Sequence, residues 1–249
     1  MPPTHPTSET PHDAPAAISG IIVIDKPVGP TSMDCCRRVR TALRRNGLPR
    51  GLKVGHGGTL DPLAQGVVVV LVGRATRLCE RVMGGAKVYE AEIDLARTSD
   101  SCDLETPSRP VVVARVPTLP EVEAATERFV GDITQVPPTH SAVWIDGKRA
   151  YQLARAGKDV AMRPRTIRID AIETLAYEWP NLRLRITCGR GTYIRSLARD
   201  LGAHLNCGGL LTGLRRTRVG SIDLSLSIPL DALPRIFPLD RLLPDSILG

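Results

Sequence analysis

Aromatic side chains are scarce: two Trp, four Tyr and two Phe make up 3% of the 249 residues. A core built from this chain must be aliphatic, so each aromatic position invites a reason beyond filling space. Tyr89, Tyr151 and Tyr193 all fall in otherwise motif-like stretches. Paired cysteines are missing as well. Cys35, Cys36, Cys79, Cys102, Cys188 and Cys207 contain no C-x-x-C spacing, and His5, His12, His56, His140 and His204 are dispersed, which argues against a zinc site. There is no basic-then-apolar leader, no apolar run of spanning length and no internal repeat. These absences predict a soluble protein of a reducing, cytoplasmic setting, without metal and without membrane association.

Acidic residues lag behind basic ones, 26 against 33, for a net charge of +7. Arginines bunch at 37–50, 163–168, 183–199 and 215–218. They are either solvated helix faces or basic surfaces that converge on one polyanion. The length suits one large domain or two small ones, with a core that needs no covalent staples.

The most distinctive stretch is Lys53-Val-Gly-His-Gly-Gly-Thr-Leu-Asp-Pro-Leu-Ala-Gln-Gly66, directly ahead of the aliphatic run Val67 to Val72. It reads as a loop feeding a buried strand. Gly55, Gly57 and Gly58 permit close backbone approach, and Pro62 biases Asp61 away from the helical region. Asp61 then stands on a stiff loop edge, a position that turn chemistry alone also explains.

Around this stretch, residues 1–19 hold five prolines among polar residues and predict a disordered tail. Gly20 to Pro27 predicts a short strand. Thr31 and Asp34 have the spacing of a helix cap, with a stop at Asn46-Gly47. On that helix Cys36, Val39 and Leu43 share one stripe, while Arg37, Arg38, Arg40, Arg44 and Arg45 occupy the opposite arc. Gly73 to Met83 and Leu119 to Phe129 predict helices. Lys87 to Leu95 alternates strictly, turning Tyr89, Ala91, Ile93 and Leu95 inward. Residues 97–110 are polar and turn-rich. Residues 135–151 have no period and predict an excursion from the domain, ending in a basic helix at 150–156. Strands are predicted at 165–177 and 181–188. Gly189 to Gly202 predicts a turn into a helix with Thr192 as N-cap. Arg195 would then sit in the first turn, where a helix already carries partial positive charge. An anion is expected there, either a phosphate or an internal carboxylate. The ordered part is predicted to end at 209–220, with 229–249 as a short tail.

Six motifs occur in order: Gly55-His-Gly-Gly-Thr-Leu-Asp-Pro-Leu-Ala-Gln-Gly66, Lys87-x-Tyr89, Gln135-x-Pro-Pro-x-x-Ser-Ala142, Gly147-Lys-Arg-Ala-Tyr151, Gly191-Thr-Tyr-Ile-Arg195 and Leu214-Arg-Arg216. Over residues 20–220 the chain thereby resembles the TruB family, the pseudouridine synthases that modify the T-loop uridine of tRNA. The resemblance implies an α+β pseudouridine synthase fold, with a mixed, largely antiparallel central sheet flanked by helices. It implies a catalytic domain over 20–228 with an RNA-clamping insertion at 135–160, while the C-terminal PUA-type domain of many relatives is expected to be absent, leaving 229–249 as a short tail. The reaction breaks the C1′–N1 bond of uridine, turns the base and rejoins it through C5, which requires no cofactor and no metal. The implied partner is the tRNA T-stem-loop, met by a monomer with no obligatory protein partner.

The matching residues inherit roles. Asp61 becomes the catalytic carboxylate, as nucleophile or as stabiliser of positive charge on the sugar. Arg195 becomes the cation that keeps it charged, and Tyr89 the aromatic that stacks on the base and is the candidate base at C2′. His56, Tyr193, Leu214, Lys87 and Arg216 fall in the substrate-binding positions, His56 by helping to hold the flipped-out state. Lys148, Arg149 and Tyr151 fall in the clamp, and affinity is expected to rest on that clamp and on the basic helix at 32–46. The chain departs from the family pattern at His140, Trp144 and Leu210. Two rival readings are a tRNA-folding chaperone without catalysis and a guide-dependent rRNA pseudouridylase.

Overall fold

The computed structural model describes residues 18–141, 144–145, 147–158 and 161–248. The expected disordered tail therefore lies almost wholly outside the described residues. The chain opens with strand β1 (Ser19–Lys26) and helix α1 (Ser32–Arg45). Thr31 caps α1 through a reciprocal box with Asp34, the side chain of each accepting from the other's backbone N–H. Strand β2 (Val54–His56) leads into the glycine-rich loop, which feeds β3 (Gln65–Gly73). Val67 to Val72 are at most 1% exposed. The helix expected over 73–83 is split into a tight single turn at Arg74–Leu78 and α2 (Cys79–Gly84).

Strand β4 (Lys87–Asp94) precedes the small ribbon of β5 (Arg97–Thr98) and β6 (Arg109–Pro110), then α3 (Leu119–Glu127) and β7 (Gly131–Gln135). The excursion that follows contains a hairpin of β8 (Trp144–Ile145) and β9 (Lys148–Arg149) and the short α4 (Ala150–Arg155). Strands β10 (Arg165–Glu178) and β11 (Asn181–Cys188) form a long hairpin, α5 spans Ile194–His204, and β12 (Leu210–Val219), β13 (Ile222–Asp223) and β14 (Ile228–Pro229) complete the strands.

One ten-stranded sheet carries the fold, in the order β14-β1-β3-β12-β4-β11-β10-β7, with β2 paired to β3 and β13 to β12. Pairing is antiparallel except at β1/β14 and β3/β12. This is the mixed, largely antiparallel sheet that the sequence implied. Its faces bury two main aliphatic cores, one under α3 and α5 and one under α1. Tyr89 and Leu214 are half-buried and touch both cores, so they mark the seam between them.

Order does not stop near residue 220. Leu230 and Phe237 are at most 2% exposed within the core under α1, Leu243 makes a paired bridge with Ile21, and Ser19 bonds the carboxylate of Asp245 at 3.0 Å. The segment expected as a tail is a strap along β1 and α1. Its apolar anchors are single residues between prolines, and their burial gives them a fixed place although they have no local period.

Candidate active site

The glycine-rich loop is held from several sides. Ala64 N–H donates to Asp61 C=O at 3.1 Å, closing the turn around Pro62. The Ser32 hydroxyl at the start of α1 accepts from Leu60 N–H at 2.8 Å and donates to Leu60 C=O at 3.1 Å. Two buried cations bind the loop's carbonyls. Lys26, 0% exposed, donates to Pro62 C=O at 3.3 Å and to Pro27 C=O at 2.9 Å. Arg216, 1% exposed, donates to Val67 C=O at 2.8 Å and to Thr59 and Gly58 C=O at 3.2 Å each. Buried backbone acceptors need such partners, and here cations supply them without neutralising carboxylates. Two glycines are required sterically. A Cβ on Gly57 would stand 2.3 Å from Val82 Cγ1, and one on Gly66 (φ +107) would stand 2.2 Å from the carbonyl oxygen of Arg216.

Arg195 reaches this loop from the first turn of α5. Its Nη2 lies 2.9 Å from Asp61 Oδ2 and its Nη1 3.3 Å from Asp103 Oδ2. The anion expected at this helix start is therefore an internal carboxylate, and there are two. Arg195 and Asp103 are buried, whereas Asp61 retains 42% of its side-chain exposure. The guanidinium thus faces one carboxylate sealed in protein and one open to a substrate. Asp103 lies in the turn-rich stretch that offered no periodicity. Its carbonyl accepts from Ser99 Oγ at 2.6 Å and its carboxylate accepts from Glu105 N–H at 2.9 Å. Cys102 before it has φ +60, a strained value for a non-glycine residue that sets the direction of the chain there. A hydroxyl-rich Ser-x-Ser-Cys-Asp run was the only sequence signal for this residue.

Helix α5 begins one residue later than expected. Tyr193, rather than Thr192, is its N-cap, and the Thr192 hydroxyl donates back to Gly189 C=O at 3.3 Å. The capping function is supplied across the sheet by Gln135, whose side-chain oxygen accepts from Tyr193 N–H at 2.8 Å and whose amide donates to Tyr193 C=O at 3.1 Å. The guanidinium of Arg165 stacks 4.6 Å from the centre of the Tyr193 ring.

Tyr89 sits on β4 opposite Arg216 of β12 and Ile186 of β11. Burial pushes its phenol above the ordinary range, the Arg216 guanidinium opposes that rise, and the negative charge of Asp61 adds to it. Tyr89 is consequently a neutral phenol beside the loop, a ring and a hydrogen-bond donor. Leu214 pairs with Ala91 on the same seam. His56 ends β2 opposite Val70; burial and then Arg216 hold its imidazole below the usual histidine range, so it is neutral. Its Nδ1 is buried without a partner.

The structure therefore brings Asp61 and Arg195 into contact and places Tyr89 within the field of Asp61. The resemblance assigns Lys87 and Arg216 to the substrate. In the structure Lys87 is 6% exposed and donates to Met83 C=O and, at 2.6 Å, to Gly85 C=O, while Arg216 braces the loop. Both are supports in this geometry. The side chains of Lys148, Arg149 and Tyr151 lie outside the described residues, and Trp144 is 61% exposed on the hairpin.

Comparison with known proteins identifies the family of the chain. Residues 44–194 match the family model described as TruB family pseudouridylate synthase (N terminal domain), and residues 195–243 match that of the tRNA pseudouridylate synthase B C-terminal domain. A protein named tRNA pseudouridine synthase B from Phocaeicola vulgatus is 42% identical over 214 residues, covering 86% of this chain and 91% of that protein. A protein of the same name from Mycobacterium bovis is 45% identical over 221 residues, covering 86% and 71%. Among solved structures, the Cbf5-Nop10-Gar1 complex contains a chain matching with a TM-score of 0.64 at 32% identity, over 86% of this chain and 53% of that one. An H/ACA RNP bound to a substrate RNA containing 2′-deoxyuridine matches with a TM-score of 0.66 at 26% identity, over 92% and 60%. The chain spans between half and two thirds of those two structural relatives.

Proposed function

Because the chain belongs to the TruB family of pseudouridylate synthases, we propose that it isomerises uridine to pseudouridine in the T-loop of tRNA, with Asp61 as the catalytic carboxylate. The observation that carries this reading is the 2.9 Å contact of Arg195 with Asp61, on a carboxylate that stays open on its other side. Breaking the C1′–N1 bond leaves positive charge on the sugar and negative charge on the base. A fixed carboxylate stabilises the first or forms an ester with C1′. The freed uracil turns, C5 bonds to C1′, the proton leaves C5, and N1 gains one. Atoms and charge balance without a redox partner.

Tyr89 stacks on and orients the turning base. A phenol held neutral by burial accepts a proton only after losing its own, which favours this positioning role over that of a base at C2′. His56 and Tyr193 are assigned to hold the flipped base, since a base taken out of its stack requires contacts worth a few kcal/mol, roughly the cost of flipping. Leu214 lines the apolar side. Lys148, Arg149 and Tyr151 belong to the segment that clamps the RNA. The protein acts as a cytoplasmic monomer without an obligatory protein partner. Among the described residues no helix is long and apolar enough to cross a membrane.

The test is to incubate the protein with an unmodified tRNA transcript and map pseudouridine, with Asp61→Asn as the comparison. Product at the T-loop uridine from the wild type, and a loss of at least about 10³-fold in the variant, is expected. Equal product from both proteins would remove Asp61 from the chemistry. Tight binding without product from the wild type would favour the chaperone reading.

A further inference from the structure

The outer face of α1 carries more positive charge than its surroundings neutralise. Arg37 pairs with Asp34 at 2.5 Å and Arg44 donates to Arg50 C=O at 2.7 Å. Arg38, Arg45, Arg50 and Arg235 make no ion pair among the described residues. These side chains line a groove. One part, about 300 Å³, lies between α1 and the segment 230–235, walled by Arg37, Arg38, Arg45 and Arg235 over a floor of Ala42 and Leu230, with Asp231 as its carboxylate. A second part, about 570 Å³, shares Thr41 and Arg45 with the first and continues to Arg44 and Arg50.

Local explanations cover only part of this. Cations in the last turn complement the negative end of a helix, which accounts for Arg44 and Arg45. It does not account for Arg37 and Arg38, two turns upstream, or for Arg235, which comes from the strap. A solvated helix face also needs no second wall. Holding like charges together is unfavourable until an anion arrives. Guanidinium groups match phosphate oxygens in paired hydrogen bonds. From Arg38 to Arg45 the helix rises roughly 10 Å, so the array suits a linear polyanion better than a single small ion.

The groove is also tied to the site. Helix α1 starts at Ser32, whose hydroxyl holds Leu60, the residue before Asp61. Along the helix axis Arg38 and Arg45 lie roughly 9 and 20 Å from that point. We propose that this groove binds the phosphodiester backbone of the tRNA whose uridine enters the site, at nucleotides outside the flipped one. The proposal rests on the tRNA-modifying reading above. It gives the strap a binding role through Arg235, and it makes the underlying α1 a rigid spacer between the backbone contacts and the catalytic loop.

The experiment compares wild type with the double variant Arg38→Glu, Arg235→Glu, which reverses charge on opposite walls. A control double variant, Arg128→Glu, Arg183→Glu, changes net charge equally at exposed positions on other elements. Binding of unmodified tRNA is measured between about 50 and 200 mM salt. The groove variant should bind at least tenfold more weakly, with a slope of log K against log salt shallower by about 1.4–1.8 for two lost phosphate contacts. The control should lose less than a third as much on the logarithmic scale. Equal losses in both variants, or an unchanged isotherm in the groove variant, overturn the proposal. If thermal melting shows the charge reversals unfolding the chain, the Arg38→Gln, Arg235→Gln pair must show the same slope change. Product formation by the wild type is scored separately, so absence of pseudouridine fails the activity reading and leaves the isotherm to judge the groove.

Discussion

Arg195 closes a 2.9 Å ion pair on Asp61 while remaining 5% exposed, against 42% for its partner. The buried member anchors the exposed one and leaves its far oxygen open. Behind the guanidinium, Asp103 supplies a second carboxylate at 3.3 Å, so the cation is over-matched by negative charge. A developing cation on the ribose would meet the exposed side of the Asp61 carboxylate there.

Removing Arg195 strands Asp103 in a buried position. Arg195→Ala should lose about 3–5 kcal/mol of stability, read as a lower urea midpoint at unchanged slope, together with activity. Asp103→Asn keeps the shape and removes one charge; turnover should fall by about 10²-fold through misplacement of Arg195, with folding largely intact. A wild-type urea midpoint for Arg195→Ala would show that the three groups do not act as a buried network.

If Tyr89 works as a ring that positions the base, Tyr89→Phe should retain more activity than Tyr89→Leu by at least tenfold. The rate should also show no increase that tracks phenol ionisation between about pH 7 and 9, because burial pushes that ionisation upward. Equal activities for the Phe and Leu variants would return the role to the hydroxyl.

Burial lowers Lys26 from 10.5 to about 8, and Lys87 likewise. Folding favours their neutral forms, so between about pH 8 and 10.5 the unfolded chain binds more of these protons. Their contribution to stability therefore rises with pH across that window and is lost as pH falls through 8. Buried thiols act the other way, since Cys36 is pushed up to about 12 and Cys188 to about 11. The informative quantity is the difference in unfolding free energy between wild type and Lys26→Met, which should increase from pH 8 to 10. A flat difference would mean that Lys26 is not held in a depressed state.

The catalytic loop also depends on close packing. Gly57→Ala places a methyl group 2.3 Å from Val82 Cγ1, so it should destabilise the protein by about 1–3 kcal/mol. Val82→Ala in the same chain should recover much of that loss. The double variant melting below Gly57→Ala alone would place the strain elsewhere.

Local signals in the sequence were sufficient where structure is locally determined. Thr31 and Asp34 cap α1 as their spacing implied, and the alternation at 87–95 and 181–188 gives β4 and β11 with Tyr89, Ala91, Leu182 and Leu184 turned to the core side. The misreadings arose where a distant group decides. Thr192 had the right chemistry to cap α5, but Gln135 already brackets the Tyr193 backbone, so the helix starts a residue later. Asp103 is buried by contacts with Arg195 and a strained Cys102, neither of which leaves a period to read. The strap at 229–248 has isolated anchors, Leu230 and Phe237, whose partners on α1 lie far back in the chain. Asp61 was visible as a stiff loop residue and an anion was expected at the start of α5, but only the family resemblance joined the two, and the structure pairs them at 2.9 Å.

The order of strands in the sheet has a consequence for synthesis. Strand β12 sits between β3 and β4, and β14 lies beside β1, with Ile24 opposite Ile228. A ribosome adding roughly 5–20 residues per second leaves the free edge of β1 waiting roughly 10–40 s for its neighbour. During that interval the nascent chain holds an aliphatic strand with unpaired backbone groups and a sheet whose middle is still unmade. Chaperone demand should therefore peak late in translation and end abruptly once the strap emerges.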